Sequence, residues 1–180
     1  DIIQEYDGAK AFQEAILTSD TCTKSCSAKI SASIGEITVG GVVKGAGMIE
    51  PNMATMLAFL TTDVSATNTE LQDILAHAVN KSFNRITIDG DMSTNDTVLL
   101  MANGNAGIEL SKESKKFQAD FAEAVDTVCA ELARKCVSDG EKVTKFVKMK
   151  VTGASTTEDA EKVARYVANS LLVKSSWYGS

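Results

Sequence analysis

Apolar positions along the chain change period several times, and each change marks an element. Ala9, Ala11, Phe12, Ala15 and Ile16 recur at helical spacing within residues 7–17, and the polar run Thr18-Ser19-Asp20-Thr21 closes that helix in a loop. Ile30, Ala32 and Ile34 then alternate with polar neighbours. Ile37 and Val39 resume the alternation after Gly35-Glu36, which predicts a β-hairpin turning on those two residues. Gly40, Gly41, Gly45 and Gly47 follow closely, so Lys44 is expected in a glycine-rich loop. Met56–Thr62 is short and almost wholly apolar, the pattern of a strand buried on both faces, and Thr55 stands at its start.

Thr67-x-x-Glu70 is a capping box, and Leu71, Ile74, Leu75, Ala78 and Val79 form the apolar face of the helix it opens. Arg85–Ile88 and Thr97–Ala102 are expected strands on either side of the acidic turn Asp89-Gly90-Asp91, with Asn103-Gly104 as the next turn. Phe117, Phe121, Val125, Val128, Leu132 and Cys136 predict a long helix ending before Asp139-Gly140. Val147, Met149 and Val151 alternate with Lys148 and Lys150, as in a strand with one wet face. Ala160, Val163, Ala164, Val167, Leu171 and Leu172 predict a last helix. Helices and strands interleave in long blocks, which fits an α+β fold of sheets sandwiched between helices.

With 180 residues, 44% of them hydrophobic, the chain is large enough to bury the core of one compact domain. A net charge of −6 leaves no basic excess to neutralise phosphates, which argues against a nucleic-acid partner and for a small one. No apolar run approaches the roughly 18 residues of a membrane helix, so a soluble chain with no membrane partner is expected. The four cysteines fall as Cys22 with Cys26 and Cys129 with Cys136; neither pair has Cys-x-x-Cys spacing. They suit free thiols in a reducing compartment, cytosol or mitochondrial matrix, and not a metal site.

The chain's one proline, Pro51, stiffens the approach to Thr55 by fixing its own φ and biasing Glu50 away from helix. A rigid bend ahead of a buried strand can hold a strained bond. A threonine hydroxyl is a weak nucleophile without a base. The one histidine, His77, falls off the apolar face of its helix and is expected to be solvated. A threonine can use its own α-amine as the base, since that group's pKa lies near 7.7–8.0. The amine exists only once the Ala54-Thr55 bond is cut, and the small Ala54 obstructs attack on its carbonyl little. A threonine at the mouth of a strand can equally be a simple β-former. Lys44 among glycines does not follow them as a phosphate-loop lysine would. The Asp89, Asp91, Asn95, Asp96 cluster lacks the glycine and distal glutamate of an EF-hand, so turn and capping chemistry is expected there.

The stretches Gly40-Gly41-Val42-Val43-Lys44-Gly45-Ala46-Gly47-Met48-Ile49 and Pro51-Asn52-Met53-Ala54-Thr55-Met56-Leu57-Ala58-Phe59 strongly resemble the cleavage region of the ornithine acetyltransferase family, also called bifunctional glutamate N-acetyltransferases. The resemblance continues in order through Ser82-Phe83-Asn84-Arg85-Ile86-Thr87, Ser93-Thr94-Asn95-Asp96-Thr97, Thr144-Lys145-Phe146 and Asn169-Ser170-Leu171-Leu172-Val173-Lys174. It implies a self-cleaving enzyme of arginine biosynthesis with an N-terminal-nucleophile-hydrolase-like fold. Residues 1–54 would be the C-terminal part of the upstream chain and 55–180 the N-terminal part of the downstream chain, both in one domain. By the same resemblance Thr55 is the nucleophile, Ala54 the last residue before the cut, and Lys44, Thr18 and Glu141 contact substrate. Glu141 would bind a cationic substrate end or tune the Thr55 amine. The implied reaction moves an acetyl group from N2-acetylornithine to glutamate in a ping-pong cycle, with no metal or bound cofactor; acetyl-CoA is left open as a second donor. The cut chains would stay associated, as a heterotetramer of two precursors.

This chain departs from the family pattern. The Thr-Gly oxyanion pair expected upstream and further substrate-binding residues expected downstream are not within it, and Lys142-Val143 stands where a Gly-Ala pair is expected. Two other readings therefore stay beside acetyl transfer: an amidohydrolase or aminopeptidase of the self-cleaving type, and a truncated, non-catalytic assembly module.

Overall fold

The structure is a computed structural model that describes residues 8–32, 35–47, 56–90, 94–140 and 142–178. Helix α1 (Gly8–Ala15) leads into a four-stranded mixed sheet ordered β1-β2-β3-β4. Strands β1 (Lys24–Ala32) and β2 (Gly35–Lys44) form the expected antiparallel hairpin, from Lys24 opposite Val43 to Ala32 opposite Gly35. Gly35 and Glu36 are thus paired strand residues and not the turn. Gly40 and Gly41 also stay in β2, opposite Thr61 and Leu60 of β3 (Leu57–Thr62), so Lys44 ends a strand instead of sitting in a loop. The reason is packing. A Cβ at Gly41 would lie 2.8 Å from Leu132 Cδ1 and 3.0 Å from Val128 Cγ1, so the missing side chain lets a helix approach the sheet here.

Strand β3 keeps a two-residue alternation: Ala58, Leu60 and Thr62 are buried, while Leu57 and Phe59 are half-buried and Thr61 is exposed. Its outer face is only partly covered, in part by α1, whose Phe12 ring meets Phe59 edge-on at 5.3 Å between centroids. Strand β4 (Thr97–Ala102) runs parallel to β3. A parallel neighbour needs a crossover connection, and α2 (Asn68–Lys81) supplies it. Thr67 caps α2 with the full capping box predicted by the sequence. The long helix α3 (Lys115–Ser138) buries Phe117, Phe121, Val125, Val128, Leu132 and Cys136 against the hairpin and α2, closing the core with Ile37, Val39, Val43 and Leu60.

The α+β class is borne out as a mixed sheet flanked by helices. Two expected strands are not. Phe83–Arg85 forms a single 3-10 turn anchored by the buried Phe83, and Ile86 and Ile88 pack on the core with no ladder partner among the described residues. Residues 147–151 carry the right alternation, yet no strand of the described sheet pairs with them, and Val147 stays exposed. Alternation selects a face; only a partner edge makes a strand. The last predicted helix is two, α4 (Thr157–Asn169) and α5 (Leu171–Tyr178), broken where Ser170 takes an extended ψ of 116°.

Candidate active site

Three parts of the chain converge where β2 ends and β3 begins. The loop after α1 brings Thr18, whose N–H donates to Asp20 Oδ2 at 3.2 Å. Strand β2 brings Lys44, only 6% exposed, whose Nζ donates to Thr18 Oγ1 at 3.4 Å. The register that puts Lys44 opposite Leu57 and Leu57 beside Thr97 also brings the start of β4 to the same end of β3. Thr18 and Lys44 are 26 residues apart in sequence, and the fold brings their side chains into contact. Ala54, Thr55 and Glu141 lie outside the described residues. Met56, which follows Thr55 in the chain, is buried, and Gly140, which precedes Glu141, follows the C-cap of α3.

A buried ion cluster ties the first two of these parts to the end of α3. Lys24 is the first residue of β1, and its side chain is 1% exposed. Its ammonium contacts Asp20 of the Thr18 loop and lies 2.5 Å from Asp139, the residue capping α3. Asp20 Oδ1 also accepts the Gly45 N–H at 2.6 Å, while Asp139 accepts both the N–H (3.0 Å) and the hydroxyl of Thr21. One lysine thus links the Thr18 loop, the end of β2 at Lys44-Gly45, and the turn that precedes Glu141. Burial alone would push both carboxyls up; the Gly45 N–H and Lys24 for Asp20, and Lys24 and Thr21 for Asp139, outweigh it and hold both below the ordinary carboxylate range. Burial would likewise lower the Lys24 pKa, and the two carboxylates reverse it, so this ammonium stays charged. An aspartate at a helix C-terminus faces the negative end of the helix dipole, which Lys24 offsets for Asp139.

Sequence reasoning missed Lys24 and Asp96. Lys24 occupies the inward phase of β1 with Cys26, Ala28 and Ile30, so a cation in register with apolar residues was the available signal. The sequence alone places Asp96 among turn residues. Its Oδ1 instead accepts the Met56 N–H at 2.6 Å, across 40 residues of sequence. Burial pushes the Asp96 carboxyl up to about 6, against the opposing pull of the Met56 N–H and Lys44.

Other candidates fall away. His77 is exposed on α2, as expected. Cys22 is exposed and Cys26 half-buried; Cys129 and Cys136 are buried with thiol pKa values pushed up to about 12 by desolvation, so these two are core groups and not nucleophiles. No group of three or more metal-ligating side chains forms among the described residues, and no described helix is long and apolar enough to cross a membrane. A groove of about 720 Å³ runs between residues 143–151 and α4, but Thr18, Lys44 and Asp96 do not line it. Among its cations, Lys81 pairs with Asp126 at 2.9 Å and Lys174 donates to the Ile88 carbonyl at 2.9 Å.

A mixed sheet flanked by helices, with a nearly buried lysine and a threonine hydroxyl meeting ahead of a core strand, defines an α+β protein with a small polar site. Comparison with known proteins gives the family: residues 1–180 match the ArgJ family model, and the chain belongs to the ArgJ family. It is similar to the arginine biosynthesis bifunctional protein ArgJ of Geobacillus kaustophilus, with 45% identity over 96% of this chain and 42% of that protein. The ArgJ of Geobacillus stearothermophilus is 46% identical over 96% of this chain and again 42% of its own length. The crystal structure of ArgJ from Bacillus halodurans superposes with a TM-score of 0.63 at 42% identity, over 67% of this chain and 57% of that one. The chain therefore spans about two fifths of the length of these curated relatives.

Proposed function

We propose that this chain carries the nucleophile and part of the substrate site of an acetyltransferase of arginine biosynthesis. That enzyme would move acetyl from N2-acetylornithine to glutamate after self-cleavage at Ala54-Thr55. The observation that supports this most is the meeting of Lys44 and Thr18 at the head of β3, the strand that Thr55 leads into, in a chain of the ArgJ family. In self-cleavage Thr55 Oγ attacks the Ala54 carbonyl carbon, the Ala54-Thr55 C–N bond breaks, and the acyl group passes to oxygen while the amine takes the proton. Water then hydrolyses that ester, leaving the Ala54 carboxylate and a Thr55 with a free α-amine and hydroxyl.

The α-amine then serves as base for its own hydroxyl. Thr55 Oγ takes the acetyl group of acetylornithine, and ornithine leaves with the proton. The amine of glutamate next attacks the acetyl ester and restores the hydroxyl. Lys44 suits the α-carboxylate shared by both substrates, because a fixed, little-hydrated ammonium gives a strong charge-assisted bond. Thr18 orients that ammonium, and Glu141 takes the cationic end of ornithine or tunes the Thr55 amine. No metal or bound cofactor takes part in this scheme, and acetyl-CoA enters, if at all, as an alternative acetyl donor at the same Thr55. The cut chains, ending at Ala54 and beginning at Thr55, stay associated and pair into a heterotetramer in the cytoplasm or mitochondrial matrix.

Intact-mass measurement tests cleavage and acylation together. In the full-length protein, the upstream and downstream chains are expected to separate at Ala54-Thr55, and acetylornithine is expected to add one acetyl group to Thr55. Glutamate then removes it as acetylglutamate; release of acetate alone would make the protein a hydrolase instead. A Thr55→Ala protein is expected to stay whole and take no acetyl. A wild type that stays whole and unacetylated overturns the proposal.

A further inference from the structure

The first peptide groups of β3 are held from two sides by the start of β4. Asp96 Oδ1 accepts the Met56 N–H at 2.6 Å, and the Thr97 N–H donates to the Met56 carbonyl at 3.0 Å. Pairing of Leu57 with Thr97 then carries the parallel ladder onward. The Met56 side chain is itself buried, so this residue is fixed by its N–H, its carbonyl and its side chain. The Met56 nitrogen is the far half of the peptide bond whose carbonyl belongs to Thr55. Whatever orients the Met56 N–H orients that peptide plane, which includes the Cα to which the Thr55 amine and side chain are attached.

A carboxylate is a costly acceptor for this task. Desolvation works against its charge, and a neutral oxygen would accept one N–H as well. What a short aspartate offers is a strong, directed, charge-assisted bond from a side chain with few rotamers, on the residue directly before the ladder that begins at Thr97. Lys44 acts on this carboxyl only through space, lowering its pKa against the rise that burial causes.

We propose that Asp96 is a positioning residue for the chemistry at Thr55, holding the Thr55-Met56 peptide in the direction that both self-cleavage and acetyl transfer need. This rests on Thr55 being the nucleophile. Asp96 acts through the backbone. It therefore sets how fast Thr55 reacts and leaves substrate capture to Lys44 and Thr18.

The test compares Asp96→Asn, Asp96→Glu and Asp96→Ala in the full-length protein. Cutting is followed by intact mass, kcat and KM for acetylornithine are taken per acetylatable molecule, and Tm is recorded. Small misplacement of a reacting group costs up to about a hundredfold in rate, so D96A is expected to slow both cutting and kcat by about tenfold or more. Its KM should stay within about twofold, since charge-assisted substrate contacts are untouched. D96N keeps an acceptor oxygen in place and should rescue both rates to within about threefold of wild type, whereas D96E, one methylene too long, should fall between. Unchanged cutting and kcat in D96A, or D96N as slow as D96A, overturns the proposal. If D96A does not fold, the pair D96N and D96E decides: equal rates in the two overturn it, and a slower D96E of similar Tm upholds it. Failure of the Thr55 reading is distinct, because wild type would then stay whole like T55A, and the Asp96 proposal falls with it.

Discussion

Replacing Lys24 by methionine tests whether the buried ion cluster frames this site. The ammonium is 1% exposed and serves Asp20 and Asp139, whose side chains are 0% and 8% exposed. K24M keeps most of the side-chain volume and removes the charge, which leaves two carboxylates facing a shared buried space. Breaking a buried pair this way costs about 3–5 kcal/mol, mostly through the charge left behind. For a cooperative unit of 180 residues, about 2–4 °C of Tm per kcal/mol makes the expected loss roughly 6–20 °C at pH 7.

The pH dependence gives the sharper signature. In the wild type both aspartates have pKa values below the ordinary 3.8, so their contribution is present above that value and lost as pH falls through the lowered folded pKa. Lys24 has a folded pKa above 10.5; its contribution is full below that value and lost as pH rises past the folded pKa. In K24M the carboxylates keep their desolvation and lose their cation, so their pKa values rise and acid relieves them. The Tm gap between wild type and K24M should therefore be widest near pH 7 and narrow steadily toward pH 4. The triple variant K24M/D20N/D139N, which removes every charge but keeps acceptors for Gly45 and Thr21, should recover much of the loss at pH 7. Thermal melts of the three proteins from pH 4 to pH 8 decide the matter. A gap of less than about 2 °C at pH 7, under 1 kcal/mol on this scale, or one that widens on acidification, would refute the reasoning.

Two further outcomes follow from the same geometry. Lys44→Met should raise KM for acetylornithine by roughly 10–150-fold, the equivalent of a charge-assisted hydrogen bond of about 1.5–3 kcal/mol, with a smaller change in kcat; an unchanged KM in steady-state assays would remove Lys44 from the carboxylate site. Gly41→Ala would place a Cβ 2.8 Å from Leu132, and overpacking of this kind costs about 1–3 kcal/mol, so urea denaturation should show a lower midpoint while kcat and KM of the folded protein stay put.

How much of this could be read from the chain depended on whether the signal was local. The Thr67-Glu70 capping box and the apolar stripe of α3 are satisfied within one helix and its neighbours, and both stand as expected. Strand β3 was visible as an apolar run, though its partners decide that only Ala58, Leu60 and Thr62 face the core. Gly40 and Gly41 were misread because a glycine is locally a turn signal. Here Gly41 instead marks the close approach of Leu132, some 90 residues further on, which no local pattern contains. Residues 147–151 failed in the opposite way: their alternation is right for a strand, and strandhood waits on an edge the described sheet does not give them.

The two buried lysines show why the site itself was only half legible. Lys44 stood out because glycines surround it, and Lys24 did not, although both are nearly inaccessible in the fold. Their surroundings separate their roles. Lys24 is enclosed by two carboxylates, and its charge is spent on holding the Thr18 loop, the end of β2 and the cap of α3 together. Among the described residues no carboxylate lies within 4 Å of Lys44, whose described hydrogen bond goes to the neutral hydroxyl of Thr18. A lysine met by one neutral hydroxyl is less neutralised by its surroundings than one held between two carboxylates. The same residue type thus does different work on neighbouring strands: one cation neutralises the protein's own anions and ties three parts of the fold together, and the other, in the function proposed above, meets the carboxylate of a substrate.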